Sequence, residues 1–189
     1  HRNKGDKAVD FYATKLERLR DCPMVIKYHH SEVMRYKGTP ITVLISEYVE
    51  GVLLADMVKK RRGKRLPEFE ALHVLYSLVC GLEQIHAKRE YHGDLHEWNV
   101  LVRREGVRFG VKVVDLYDWG RPSASNIAED VIDSVRLFYD MLGGKKWYPT
   151  QRPEIRQIVC GLKRSLITKR YPNARRLREH LDTFDWQGM

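Results

Sequence analysis

The chain has 189 residues, of which 43% are hydrophobic and 31% are charged, enough for one well-cored domain or a large lobe with a small one attached. It has no apolar run near the roughly 20 residues that span a bilayer, which argues against a membrane span. The net charge of +9 invites an anionic partner, but basic residues are not interleaved with aromatic ones, so nucleic acid is only weakly supported. Three widely spaced cysteines and a polar N-terminus without a signal peptide predict free thiols in the cytoplasm.

The N-terminal region is predicted to form one helix followed by two strands. Residues 8–20 place their apolar side chains largely on one helical face: Val9, Phe11, Tyr12, Leu16 and Leu19. Two β-like runs follow at residues 32–36 and 41–49, and residues 37–40 (KGTP) form a turn signal between them. A short helix is then predicted over residues 50–60.

A basic segment separates this region from a helical body. Residues 59–65 read KKRRGKR, with six positive charges in seven residues, and a solvated basic loop is the simplest interpretation. A long helix is predicted from Pro67 to residue 89, with leucines at three- and four-residue spacing. Further helices are predicted over residues 128–142, 153–166 and 173–181.

The segment between the long helix and the next strand is dense in reactive side chains. Residues 91–102 read YHGDLHEWNVLV, with a single Gly where an ordinary connection uses several turn-forming residues. A strand begins at Val100, a turn follows at residues 104–106, and a second strand covers residues 111–116. The complete layout is a small strand region, a hairpin and a mostly helical body, which predicts an α+β fold.

Three polar side chains flank the two strands of this hairpin. Asp94 and Asn99 precede the first strand, and Asp115 ends the second. Carboxylate and amide oxygens of this kind suit Mg²⁺, which takes one or two protein oxygens and completes its shell with water and phosphate. A carboxylate five residues before the Asn suits the orientation of an attacking hydroxyl group.

Residues 92–99, HGDLHEWN, resemble the catalytic loop H-R-D-L-x-x-x-N of the protein-kinase-like superfamily. The Gly after the first His and the second His after Leu are similar to aminoglycoside-kinase-like and other atypical members. The resemblance implies a catalytic role for Asp94, Asn99 and Asp115, with Asn99 and Asp115 as metal ligands. Asp118-Trp119-Gly120 matches the family's D-F-G more literally, so Asp118 stays an alternative, although Asp115 is preferred because it ends the strand.

The resemblance extends to the segment before the basic residues. Residues 43–51, VLISEYVEG, resemble the strand and hinge that enclose the adenine of ATP. The resemblance implies that Ser46 is the gatekeeper, that the Glu47 carbonyl and the Val49 amide face the base, and that Leu101 lines the same site. ATP and Mg²⁺ are therefore the expected cofactors.

Residues 130–144 resemble the central helix of the family's large lobe. Its first residue, Asp130, is expected to brace the catalytic loop through backbone amides. Together the matches cover residues 8–182 and imply a kinase-like fold with a mostly helical C-terminal lobe. We expect a partial N-lobe and hinge at residues 1–49, comprising one helix and two strands, and a C-lobe at residues 50–189.

The chain also departs from the family pattern. No Gly-rich phosphate loop and no V-A-I-K-like strand is present, so the small lobe is expected to be truncated. In the family, an acidic residue on the following helix pairs with the Lys of this strand. That acidic residue should fall at residues 11–13, where the chain has none. The 115–130 interval leaves no room for a full activation segment, and His96 replaces the Lys that often follows the catalytic Asp.

These departures leave three functional hypotheses for a kinase-like domain, beside a weaker one in which the chain is a basic protein that mainly binds an anionic polymer. The leading one is an ATP- and Mg²⁺-dependent phosphotransferase, most similar to Ser/Thr protein kinases, with a protein acceptor or partner that is possibly acidic. The second is a pseudokinase-type binding module. The third, an atypical small-molecule kinase, is favoured by HGDLH and the short 115–130 interval, whereas the helix at residue 130 and the basic segment 59–65 favour a protein.

Overall fold

The computed structural model describes residues 6–106, 108–117 and 120–184. Its eight α-helices within these ranges are α1 (Asp6–Arg18), α2 (Leu54–Lys60), α3 (Glu68–Ala87), α4 (Ala124–Met141), α5 (Gly144–Trp147), α6 (Pro153–Val159), α7 (Arg164–Arg170) and α8 (Ala174–Asp182). The strands are β1 (Tyr28–Tyr36), β2 (Thr39–Ser46), β3 (Val52–Leu53), β4 (Val100–Glu105) and β5 (Arg108–Val113). The expected α+β architecture, a helical body with an incomplete small lobe, is confirmed.

The strands form two separate antiparallel sheets. One contains only β1 and β2, joined by a turn at Lys37 and Gly38, which both have positive φ. The other has the order β3-β4-β5, with Val100 paired to Val113 and Val102 to Val111. Because side chains alternate across a strand, Val100, Val102 and Val113 all face the core, where they are buried.

The core of the helical body is built around α3. Leucines and valines at three- and four-residue spacing bury one broad face of this helix, as the sequence predicts. Gly81 lies on that face against Met24, and a Cβ at Gly81 would stand only 2.2 Å from the Met24 sulfur. Glycine is therefore required here for the approach of the segment that precedes β1.

Helix α4 packs beside α3 and begins four residues earlier than predicted. Ser123 caps it: its hydroxyl accepts from the Asn126 amide, and the Asn126 side chain accepts from the Ser123 amide. This reciprocal pairing satisfies two of the free N–H groups at a helix start. Gly143, with φ of +92°, follows the end of α4 and separates it from α5, so α4 stops where the sequence predicts.

Several other sequence-based boundaries are wrong. The first strand begins at Tyr28 rather than residue 32, and the second strand of the later hairpin covers Arg108–Val113 rather than residues 111–116. The short helix predicted from residue 50 begins only at Leu54, because Val52 and Leu53 pair with β4. The second β run ends at Ser46 rather than residue 49. The helix predicted over residues 153–166 is two helices, separated by a turn in which Cys160, Gly161 and Leu162 all have positive φ.

The basic segment 59–65 is partly ordered by contacts with the helical body. Its first residues end α2, and a short 3₁₀ turn covers Arg62–Lys64. Arg61 forms an ion pair with Glu70 at 2.8 Å, and the Arg65 guanidinium stacks over the Trp147 ring at 3.8 Å. Two of its six cations are therefore engaged within the fold.

Candidate active site

The loop 91–99 is fixed from below by Asp130, the seventh residue of α4. Asp130 is fully buried, and its two carboxylate oxygens accept from the amides of His92 and Gly93, each at 2.8 Å. His86 on α3 donates to the same carboxylate at 3.0 Å. Gly93 has φ of +81°, a conformation that strongly favours glycine. The brace expected at Asp130 is present, and His86 is a further partner that the sequence did not indicate.

His92 is a structural part of the loop rather than an exposed base. The side chain is completely buried, its Nε2 donates to the Val114 carbonyl at 3.1 Å, and its Nδ1 accepts from the Asp94 amide at 3.2 Å. Burial lowers the pKa of His92, and the nearby Lys15 cation adds to this effect. A neutral His92 with its proton on Nε2 therefore ties the loop to the end of β5.

Asp94 and Asn99 lie at opposite ends of one tight turn. The Asn99 amide nitrogen donates to the Asp94 carbonyl at 2.9 Å and lies 3.1 Å from His96 Nε2. Asn99 is buried, whereas Asp94 is exposed, with its carboxylate 3.7 Å from His96 Nε2. An exposed carboxylate is open to an approaching hydroxyl, and the pinned amide nitrogen fixes the direction of the Asn99 oxygen.

Asp115 lies just beyond β5, beside the same turn. Strand β5 ends at Val113, and the Val114 amide donates to the Asn99 carbonyl at 3.0 Å, so Asp115 follows the residue that pairs with Asn99. Asp115 has φ of +56°, which is strained for a residue other than glycine. The prediction that Asp115 ends the strand is wrong by two residues, because β5 ends at Val113. Asp118 lies outside the described residues.

Helix α1 contacts this segment through two side chains. The Tyr12 hydroxyl is hydrogen-bonded to the backbone of Asp115 and Leu116, and burial, followed by the Asp115 charge, raises the pKa of Tyr12 to about 12. One turn later, the Lys15 ammonium donates to the Tyr117 carbonyl at 2.7 Å. No acid lies at residues 11–13, as the sequence already indicated, and Tyr12 occupies that place.

The hinge borders a cavity of about 1090 Å³. Glu47, Val49 and Leu101 line it, whereas Ser46 and the set Asp94, Asn99 and Asp115 do not. The Glu47 side chain is held by the Lys27 amide and the Lys112 ammonium, which lower the pKa of Glu47 although partial burial opposes this. Whether the three polar residues share one cleft with the hinge stays a prediction.

The donor set around Asn99 fits a magnesium ion. Among the described residues, no three or more His, Cys, Asp or Glu side chains come together as a metal site. Asn99 offers an amide oxygen and Asp115 a carboxylate. Mg²⁺ accepts two protein oxygens of this kind when phosphate and water complete its shell. Asn99 and Asp115 would hold it.

The family of the chain follows from its similarity to known protein families. A family model described as "Protein kinase domain" matches residues 10–162. The chain belongs to this family. The match includes most of α1, both sheets, the loop 91–99 and α4, so the kinase domain that the sequence suggested is confirmed.

Individual relatives agree with the family. Serine/threonine-protein kinase dst3 of Dictyostelium discoideum is 33% identical over 103 residues, which cover 52% of this chain and 17% of that protein. Mitogen-activated protein kinase kinase kinase 20 of Arabidopsis thaliana is 31% identical over 129 residues, covering 60% and 37%. Putative cyclin-dependent kinase F-2 of Oryza sativa subsp. japonica is 31% identical over 127 residues, covering 66% and 38%. The kinase domain thus spans well under half the length of these curated relatives.

Sequence reasoning missed the contribution of α1 to this site. Lys15 lies on the same helical face as the apolar residues Tyr12, Leu16 and Leu19. A cation on an otherwise apolar face was the available signal, because such a side chain is buried only if something satisfies its charge.

Proposed function

We propose that this kinase domain is an ATP- and Mg²⁺-dependent phosphotransferase that acts on Ser or Thr hydroxyl groups of proteins. The observation that carries the proposal is the rigid turn in which Asn99 pairs with the Asp94 carbonyl on one side and with Val114, next to Asp115, on the other. The relative named serine/threonine-protein kinase dst3 supports the acceptor class. The part of the chain that the structure describes has no helix long and apolar enough to cross a membrane, and its free cysteines fit a reducing compartment such as the cytoplasm.

Each of the three polar residues has a separate role in this proposal. Asp94 accepts a hydrogen bond from the acceptor hydroxyl and orients it, as its exposed carboxylate allows. Asn99 and Asp115 hold the Mg²⁺, which neutralises charge on the transferred phosphoryl group when bound. His92 and Asp130 keep the turn in place and take no part in proton transfer.

The hinge offers two backbone groups to a nucleotide base. Within the described residues, the Glu47 carbonyl and the Val49 amide make no hydrogen bond to the rest of the chain. Unpaired backbone groups that line a cavity are suited to an adenine edge, and Leu101 on β4 lies in the same cavity as both residues. We assign the base to this place, with Ser46 at the end of β2 as the gatekeeper.

The acceptor is proposed to approach along the basic segment 59–65. Lys59 and Lys64 line a second cavity of about 450 Å³ together with Glu97 and Trp98 of the loop that carries Asp94. These cations therefore lie beside the predicted catalytic loop, where charge steers an oppositely charged partner. This favours an acidic protein surface over a small metabolite.

One observation favours a second candidate, a nucleotide-binding module without efficient transfer. Residues 11–13 carry no acid to pair with a phosphate-binding Lys, and the α1 side chain at that place, Tyr12, is engaged with the backbone of Asp115 and Leu116. A domain that only binds a nucleotide does not need that ion pair. Measured phosphate transfer separates the two candidates.

The test is nucleotide binding with and without Mg²⁺, followed by transfer to a protein acceptor. Wild type is expected to bind ATP more tightly with Mg²⁺, and Asp115→Asn is expected to lose that gain while keeping the wild-type unfolding midpoint. Asp94→Asn should keep Mg²⁺-dependent binding and lose transfer. The matched control is Asp21→Asn, an exposed carboxylate on the connection after α1, which should change neither measurement. Unchanged Mg²⁺ dependence in Asp115→Asn would contradict the assignment.

A further inference from the structure

Lys15 is a buried cation on the inward face of α1. Its side chain is only 2% exposed, although its neighbours on that face, Leu16 and Leu19, are ordinary core residues. Burial of an ammonium group costs free energy unless hydrogen bonds or charges satisfy it. Packing alone would be served better by Leu or Met, so the reason for this Lys lies in what its nitrogen contacts.

The Lys15 ammonium joins two segments of the candidate active site. Its Nζ donates to the Tyr117 carbonyl at 2.7 Å and lies 3.8 Å from the centroid of the Tyr91 ring, within the range of a cation–π contact. Tyr117 follows Asp115 by two residues, and Tyr91 immediately precedes His92. The cation therefore lies where the segment after β5 meets the start of the loop 91–99.

Other hydrogen bonds hold the same two segments together. The Tyr117 amide donates to the His92 carbonyl at 2.7 Å, and the Tyr91 hydroxyl donates to the Gly120 carbonyl at 2.9 Å. On the side of α1, Tyr12 is bonded to the backbone of Asp115 and Leu116. The backbone at 115–117 is thus held from α1 and from the loop at once.

We propose that Lys15 is a positioning residue that sets the direction of the Asp115 carboxylate by fixing the Tyr117 carbonyl against Tyr91. This rests on the proposed role of Asp115 as a metal ligand. The left-handed φ of Asp115 is costly for a non-glycine residue and persists only when its surroundings over-determine it. Helix α1 supplies that constraint directly, through Tyr12 and Lys15, so its docking controls the affinity for Mg²⁺.

The experiment compares Lys15→Met, Lys15→Arg and Leu16→Ala in the chain 1–189. Isothermal titration calorimetry with ADP, in EDTA and in MgCl₂, gives the gain in affinity that Mg²⁺ provides. Lys15→Met is expected to lose roughly 10-fold of this gain, the usual size for loss of a group that orients a metal ligand, with affinity in EDTA unchanged. Hydrogen exchange at residues 115–117 should rise in the same variant.

Two further variants separate positioning from general packing. Lys15→Arg should restore most of the gain, because a guanidinium can also donate to the Tyr117 carbonyl and stack on Tyr91. Leu16→Ala removes a buried neighbour from the same helix, so it should lower the unfolding midpoint and keep the Mg²⁺ gain. Lys15→Gln replaces Lys15→Met in both measurements if the latter does not fold.

The outcomes distinguish this proposal from the proposed function. If wild type gains affinity with Mg²⁺ and the Lys15 variants gain equally, only the role of Lys15 is overturned. If Leu16→Ala loses as much of the gain as Lys15→Met, the effect is general packing and the role is again overturned. If wild type binds ADP equally with and without Mg²⁺, Asp115 is not a metal ligand and both proposals fail.

Discussion

The two sheets of this kinase domain are both antiparallel, but only one of them is embedded in a core. Eight of the nine residues of β1 are exposed, and Val33 is 74% exposed. In the hairpin β4–β5, by contrast, Val113 is fully buried and pairs with the equally buried Val100. Sheet stability comes from side-chain packing more than from intrinsic strand preference, so the hairpin should be far more stable locally than β1–β2.

This difference matches the placement of the candidate site. Asn99 and Asp115 flank the buried hairpin, where the surrounding packing fixes the backbone. The exposed sheet contributes only the end of β2, which leads into the hinge at Glu47. Sites are held most accurately by elements whose neighbours are packed. We therefore expect the loss of buried side chains in and below the hairpin to lower the stability of the whole fold, and the same losses in β1–β2 to act locally.

The largest effect is expected at Asp130, below the loop that precedes the hairpin. Asp130→Ala removes the acceptor of the His92 and Gly93 amides and of His86. Leaving buried donors unsatisfied should cost about 3–5 kcal/mol of the free energy of unfolding. Urea unfolding followed by circular dichroism measures this loss. Asp130→Asn keeps one acceptor oxygen and should lose less, and an unchanged midpoint in Asp130→Ala would show that the brace is not needed.

A matched pair of valines tests the comparison between the two sheets itself. Val113→Ala in β5 removes two buried methyl groups and leaves a cavity, which should cost about 2 kcal/mol. Val33→Ala in β1 makes the same change on an exposed strand and should stay within about 0.5 kcal/mol of wild type. Chemical denaturation of both variants gives the two losses in the free energy of unfolding, which can then be compared. Similar losses at the two positions would mean that β1–β2 is packed in solution.

Most of this architecture could be predicted because the apolar residues recur along the sequence with the period of each helix or strand. Helix α3 shows its leucine spacing directly, and the turn residues Lys37 and Gly38 mark the first hairpin. The break between α6 and α7 could not be predicted as readily, since Cys160 and Leu162 adopt left-handed φ that their residue types disfavour. The start of α4 was missed because the residue that pairs reciprocally with the N-cap Ser123 is Asn126 rather than the more familiar Glu or Gln.

Part of the candidate site could be predicted from the sequence, whereas the shared cleft of the three polar residues and the hinge stays a prediction. The spacing of Asp94, Asn99 and Asp115 pointed to the hairpin, and the brace at Asp130 followed from the family resemblance. The role of α1 was not predictable, because the contact between Lys15 and Tyr117 joins residues 102 positions apart. A buried cation is visible in the sequence only as an exception to the apolar pattern, and its partner is set by the tertiary fold.

A smaller effect, with a pH dependence, is expected at Asp133 on α4. Burial, followed by the charge of Glu129, raises the pKa of Asp133 to about 6. A carboxyl with a raised folded-state pKa stabilises the fold below its ordinary value near 4, and this stability is lost as pH rises towards 6. Asp133→Asn should therefore be more stable than wild type at pH 7.5 by about 1–2 kcal/mol, but not at pH 4.

The measurement is urea unfolding of Asp133→Asn and wild type at several values between pH 4 and pH 8. Asp133→Asn also removes the ion pair with the Arg136 guanidinium, 3.0 Å from the Asp133 carboxylate, which is why the expected gain is below the full linkage value. Asp21→Asn on the exposed connection serves as the control and should show no such trend. A difference between Asp133→Asn and wild type that is constant across this range would refute the raised pKa as its cause.

The smallest effect is expected at Lys112, which links the buried hairpin to the hinge. Its ammonium lies on β5 and pairs with the Glu47 carboxylate, with both side chains about one quarter exposed. Lys112→Met keeps the apolar stem and should cost about 1 kcal/mol or less, as partly exposed pairs do. Because the pKa of Glu47 is lowered in the folded state, this stability is present at neutral pH and is lost as pH falls through the acid range.

The informative readout for Lys112→Met is local rather than global. Amide hydrogen exchange at residues 47–49 should rise in this variant, because the hinge then loses its tie to the packed sheet, while exchange in β4 and β5 should not change. Arg104→Gln is the matched control, since Arg104 lies on the same hairpin, is exposed and donates to the Gly106 carbonyl in the turn away from the hinge. If Arg104→Gln loosens the hinge as much as Lys112→Met does, the hinge does not depend on the pair of Lys112 and Glu47. The order of the hinge would then have to come from β1–β2, which contradicts the expectation that the buried hairpin controls the site.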